Sequence, residues 1–97
     1  YKKAVYYSDN NFSLIVELID DVPFIHLQAK KFSKSILETI RKKWAEVKAL
    51  AYFDGYEAIY TYTQDERMFK FFSPTRVLDG GFNLRGKEYK VAEWDLN

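Results

Sequence analysis

Ninety-seven residues carry a net charge of +1, and 47% of them are hydrophobic. That length supports one core and excludes two, and so small a net charge excludes both a histone-like polycation and a strongly acidic nucleic-acid mimic. With no cysteine in the chain, disulfide frameworks, thiolate metal sites and cysteine nucleophiles are also excluded. The 8 tyrosines, 8 phenylalanines and 2 tryptophans supply enough apolar surface to offset the ordering entropy of a short chain.

In chain order, residues 1–7 alternate weakly and end at Ser8-Asp9-Asn10-Asn11, short polar side chains that form turns by bonding their own backbone. Residues 12–19 read as a strand with Phe12, Leu14, Val16 and Leu18 on one face and Ile15 and Ile19 on the other. A strand apolar on both sides is predicted to lie inside a sheet. Asp20, Asp21, Val22 and Pro23 are predicted to form the next turn, because proline cannot donate within a paired central strand. Residues 24–29 form a third strand, with Ile25, Leu27 and Ala29 opposite Phe24, His26 and Gln28.

The strongest helix signal follows. Ser35 and Glu38 have capping-box spacing, and Ile36, Leu37, Ile40, Trp44, Val47, Leu50 and Ala51 recur at three- and four-residue intervals. Gly55 suits the left-handed position after a helix end, so the spacing predicts a helix over 34–53. Residues 56–63 alternate Tyr56, Tyr60 and Tyr62 with Glu57, Ile59 and Thr61, a strand by composition and period. Thr63 and Glu66 repeat the capping-box spacing ahead of a short helix over 65–72, with Met68, Phe69 and Phe72 inward and Ser73-Pro74 as its stop. Strand residues 76–78, a break at Asp79-Gly80-Gly81, residues 82–84, the Arg85-Gly86 turn and a last strand over 87–96 complete the chain. A strand–helix–strand crossover from 24–29 to 56–63 requires those two strands to be parallel. The fold class is therefore α+β, a mixed and mostly antiparallel sheet with one long and one short helix in a single domain over 1–97.

Several residues are candidates for chemistry. His26 is the single histidine, and an imidazole can act as a general base near neutral pH; no Ser/His/Asp spacing accompanies it. Asp20-Asp21 and Asp65-Glu66 are carboxylate pairs, but a metal site needs three or more convergent ligands, so they read as a turn and a helix start. Seven basic residues between Lys30 and Lys48 face only Glu38 and Glu46, which makes that stretch +5 and leaves the rest −4. Lys30, Lys31, Lys34, Arg41, Lys42 and Lys48 are the candidate binding patch for phosphates of a nucleic acid or an anionic cofactor; a solvated helix face is the competing reading. Tyr6, Tyr7, Tyr56, Tyr60 and Tyr62 could stack on bases, or form sheet packing as their alternation implies. Gly80-Gly81 reads as a bulge or turn. No apolar run approaches the roughly 20 residues that span a bilayer, and no signal-peptide pattern opens the chain; the expectation is a cytoplasmic protein with no membrane partner.

The strand Phe24–Gln28 entering the long helix, Asp54-Gly55-Tyr56 leading into Ala58–Thr61, and Arg67–Phe72 leading to Gly81-Phe82 and a terminal hairpin together resemble the C-terminal core of the Gcn5-related N-acetyltransferase (GNAT) superfamily. More narrowly, the chain is similar to divergent GNAT-like proteins encoded by bacteriophages. The resemblance spans residues 12–96 and implies acetyl-CoA as the cofactor of active members, its pyrophosphate held at a Q/R-x-x-G-x-G/A loop before the long helix. Here that junction is Lys30-Lys31-Phe32-Ser33-Lys34-Ser35, without a glycine, and bulky side chains crowd a backbone cradle. The expectation is therefore a phage-type accessory protein that uses the fold as a scaffold for a host or viral protein, with host defence or takeover as the setting and the host cytoplasm or virion as the place. It would have no cofactor and no metal. The alternatives are an acyl-CoA-dependent N-acyltransferase with an atypical cofactor loop, with His26, Tyr60 or Tyr62 handling protons, and a nucleic-acid-binding module using the basic helix.

Overall fold

A computed structural model describes residues 2–63 and 67–96, with the backbone alone at 67, 68, 79–82 and 84. The elements are β1 (Lys2–Ser8), β2 (Phe12–Ile19), β3 (Val22–Ala29), α1 (Lys34–Phe53), β4 (Ala58–Thr63), α2 (Arg67–Phe72), β5 (Arg76–Leu84) and β6 (Lys87–Asp95). Six strands form one sheet in the order β1-β2-β3-β4-β6-β5. All neighbours are antiparallel except β3 and β4, which are parallel because α1 carries the chain from one to the other. The α+β class, the mixed and mostly antiparallel sheet, and the long and short helices are as the sequence predicts.

Local chemistry explains the turns. Asp9 Oδ1 accepts from the amides of Asn11 (2.7 Å) and Phe12 (2.9 Å) and closes the β1–β2 turn. Between β2 and β3 only Asp20 and Asp21 lie outside the strands, with φ of 52° and 63°, the geometry of a two-residue turn that matches sheet twist. The predicted four-residue turn is thus too long: Val22 and Pro23 belong to β3, with Pro23 opposite Leu18. Ile19 and Val22 close the hairpin, so Leu18 and Pro23 form a pair that exchanges no hydrogen bonds, and the missing proline N–H costs nothing on that side.

The bounds of α1 are as predicted, but its capping residue is not. Ser33 is extended (φ −106°, ψ 167°) and its hydroxyl accepts from the Ile36 amide at 3.3 Å; Ser35 already lies inside the helix, so the Ser35–Glu38 capping box does not form. At the other end, the Gly55 amide donates to Tyr52 O (3.0 Å) and the Tyr56 amide to Ala51 O (3.1 Å), with Gly55 at φ 92°. That pair of bonds terminates the helix and requires the left-handed glycine. Tyr56 therefore belongs to the cap, and β4 begins at Ala58. The predicted Thr63–Glu66 box lies outside the described residues, as does the inward side chain predicted for Met68. Residues 76–84 form one strand where a break was predicted; the glycine pair falls where the β5–β6 register shifts, between Leu78 and Phe82. A second shift interrupts β1 between Val5 and Tyr7.

Both helices pack on one face of the sheet. Ile40, Trp44 and Val47 of α1 and Phe69 of α2 meet Phe12, Leu14, Ile25, Ile59, Ala92 and Trp94 in the core. Trp44 stacks on Phe72 (4.6 Å) and meets Trp94 edge-on (4.9 Å), and Trp94 Nε1 donates to Phe72 O at 2.9 Å. Among the described elements, none covers the opposite face.

Candidate functional site

The opposite face is built by the alternate residues of the same strands. From the registers, it carries Val5 of β1, Ile15 and Glu17 of β2, Phe24 and His26 of β3, Tyr60 and Tyr62 of β4, Tyr89, Val91 and Glu93 of β6, and Arg76 and Leu78 of β5. Its centre is aromatic: Phe24 lies 5.7 Å from both Tyr60 and Tyr62, His26 4.7 Å from Tyr62, and Tyr62 5.3 Å from Tyr89. Offset and edge-on contacts of this kind stabilise beyond simple area burial.

Two polar networks flank Phe24. In one, Glu17, only 6% exposed, accepts at Oε1 from His26 Nε2 (2.9 Å) and from the Tyr62 hydroxyl (3.2 Å). In the other, the Tyr60 hydroxyl donates to Glu93 Oε2 at 2.8 Å, and Arg76 pairs with both Glu93 and Asp95. A buried carboxylate is tolerated only when its oxygens are hydrogen-bonded. Among the described residues, the single buried side-chain polar atom without a partner is Trp44 Nε1, on the helix side, so this face neutralises its own polar groups.

The candidate catalytic residues thus divide. The structure brings His26 and Tyr62 together on one carboxylate, while Tyr60, on the same face, is tied to Glu93 instead. Sequence reasoning missed Glu17. Its signal was a lone carboxylate in an otherwise apolar strand, at the spacing of Ile15 and Ile19. The proposed aromatic platform separates: Tyr60 and Tyr62 lie on the open face, whereas Tyr6 and Tyr7 pack against the helix-side core.

The basic residues spread around α1 and its approach. Lys30, Lys31, Lys34, Arg41 and Lys42 are exposed and Lys48 is half-buried. At about 100° per residue, Lys34, Arg41 and Lys48 share a stripe and Lys42 stands apart from it. Arg41 caps the Phe71 ring of α2 at 4.3 Å, while Lys43, on the other flank, sits 4.7 Å over the Tyr7 ring and pairs with Glu46. At the start of α1, the Ser33 hydroxyl already takes the Ile36 amide, one of the donors an anion would use there. A hollow of about 130 Å³ beside this start is shared by Ser35 and Asp9. Hydrogen bonds from the Phe12 amide, the Tyr7 hydroxyl and the Asn11 amide hold the Asp9 carboxyl below its usual range, so a negative charge stands beside the helix start. A cavity of about 540 Å³ opens near the first residues of β3 and β4 and is lined by Asp21, Glu57, Glu93 and Asp95 with Tyr56 and Tyr60; its sign also repels phosphate.

Asp20 and Asp21 form the hairpin turn described above, and Asp65 and Glu66 lie outside the described residues. Among the described residues, no three His, Asp or Glu side chains converge on a metal position, and no helix is long and apolar enough to cross a membrane. Compared with protein-family models, with curated proteins and with solved structures, the chain matches none.

Proposed function

We propose that this chain is a protein-binding scaffold on a GNAT-like core, docking a host or viral protein without robust acyl transfer. One observation carries the reading: both helices pack on one side of the sheet, while the other side keeps an aromatic centre and apolar edges, with Val5 62% and Leu78 47% exposed. Because its polar groups are already bonded to one another, a partner could cover this face without stranding donors or acceptors. The parallel β3–α1–β4 unit and the terminal β5–β6 hairpin support the GNAT-like core, and the resemblance to divergent phage proteins supports a setting in host defence or takeover. The test is affinity capture from phage-infected and uninfected host lysates, with Val5→Glu and Leu78→Glu beside a Phe53→Glu control on α1. Loss of the captured protein with the sheet-face variants and retention with the control supports the reading; equal capture by all three overturns it.

Acyl transfer is the second reading, favoured by one observation. The parallel seam is registered at a single pair, Phe24 opposite Tyr60, a thin ladder for the two strands that flank the long helix. Calorimetric titration with acetyl-CoA separates the two readings. Micromolar binding that Lys31→Glu with Lys34→Glu abolishes, with turnover of an amine acceptor, would replace the scaffold by an acyltransferase.

A further inference from the structure

A helix that covers a sheet is apolar inward and polar outward, and α1 follows that pattern until its end. Residues 49–53 read Ala-Leu-Ala-Tyr-Phe, which sets apolar side chains around the whole circumference. Ala51 packs against the core. Leu50 and Tyr52 stay about half exposed, and Phe53 is 86% exposed. The Tyr52 and Phe53 rings meet edge-on at 6.1 Å, so they stand as one preformed ridge. A contiguous apolar surface of this kind marks a contact site, where scattered single residues do not.

The neighbouring turns of α1 have the shape to receive that ridge. At about 100° per residue, Lys42, Ala45, Ala49 and Phe53 share one stripe, turned away from Ile40, Trp44 and Val47. All four are exposed. With a rise of about 1.5 Å per residue, Phe53 and Ala45 stand about 6 Å to either side of Ala49. An antiparallel second helix crossing at Ala49 therefore sets each Phe53 over the other copy's Ala45, and large facing small is how packed layers interdigitate.

Charge selects the same arrangement. The first half of α1 carries Lys34, Arg41, Lys42 and Lys43 against Glu38 alone. Its last turn holds no basic residue, and Asp54 caps it. Parallel copies would set cation on cation. Antiparallel copies place Lys42 beside the carboxyl end of the second helix, where the dipole favours a cation. The whole chain carries only +1, so two copies repel each other little.

We propose that the outer face of α1 is a self-association surface, on which two copies of this chain pair antiparallel about Ala49. The occupant is a second copy because one helix face supplies both the ridge and its complement, as an isologous contact requires. This surface lies across the helix layer from the open sheet face, and the pairing does not rest on what that face binds. A single helix-on-helix contact falls short of the roughly 1,600 Å² of a standard interface, so the pair is weak and concentration-dependent.

The chain holds no cysteine, so one introduced thiol reports the geometry. Ala49→Cys puts a thiol on the proposed axis, within disulfide span of its twin, and should cross-link under mild oxidation at least about tenfold faster than Glu38→Cys, which lies on the same side of α1 but clear of the contact. Sedimentation equilibrium of the whole chain should show a monomer–dimer equilibrium that Phe53→Glu weakens at least about tenfold. Ala45→Phe and Phe53→Ala should each weaken it, and the two together should restore it, because large and small have only changed places. A chain that stays monomeric at millimolar concentration, equal cross-linking at residues 38 and 49, or a double variant no better than its parents would overturn the pairing. A monomeric chain that loses a captured host protein on Phe53→Glu would assign the ridge to a different partner and overturn it equally.

Discussion

The two faces of the sheet are made by alternate residues of the same strands, yet they are held by different physics. On the helix side, Leu14, Ile25, Ile40 and Ile59 are at most 1% exposed and stability comes from apolar area removed from water. On the open side, the buried Phe24 ring meets half-buried tyrosines, and two carboxylates gather the donors around them. A sheet can therefore carry one face that needs a second layer and another that satisfies its own polar groups.

The sharpest way to break this comparison is to hollow the helix side. Ile40→Ala should cost about 2–5 kcal/mol, by lost transfer energy and the cavity left behind, read as a fall in the urea midpoint with little change in slope. On the open side Glu17→Ala should cost less, about 1–3 kcal/mol, because it strands the His26 and Tyr62 donors rather than opening the core. If Glu17→Ala proved the costlier of the two, the open face would be the structural one and the contrast would fail. The smallest effect belongs to the β1–β2 turn. Since Asp9 is held below the ordinary carboxylate range by the Phe12 amide, the Tyr7 hydroxyl and the Asn11 amide, its ionised form favours the folded state. That contribution is present above the unfolded-state pKa and is lost as the pH falls through the folded one. The advantage of the native chain over Asp9→Asn in thermal melts should therefore be full near neutral pH and shrink as the pH falls below the ordinary carboxylate range.

Long, strongly periodic elements were legible from the sequence. Ile36, Ile40, Trp44, Val47 and Ala51 mark the buried stripe of α1, and Gly55 marks its end, because helix period and left-handed geometry are local properties. Boundaries that depend on a neighbour were not. Pro23 reads as a strand breaker until the register shows that its missing donor falls in a non-hydrogen-bonded pair. Ser33 and Ser35 are both competent caps by composition, and only the extended backbone at Ser33 distinguishes them. The candidate site was half legible: His26 and Tyr62 stood out as residue types. Their shared acceptor, Glu17, lies 9 and 45 positions away, and such long-range pairing is written in strand order rather than in spacing.

The register shifts in β1 and β5 fall on the two outermost strands of the sheet. An irregular rim cannot template a further strand in continuous register, and Lys2, Lys3 and Arg76 add charge along it. Ribbon-like stacking of one molecule on the next through the sheet edges is thereby discouraged.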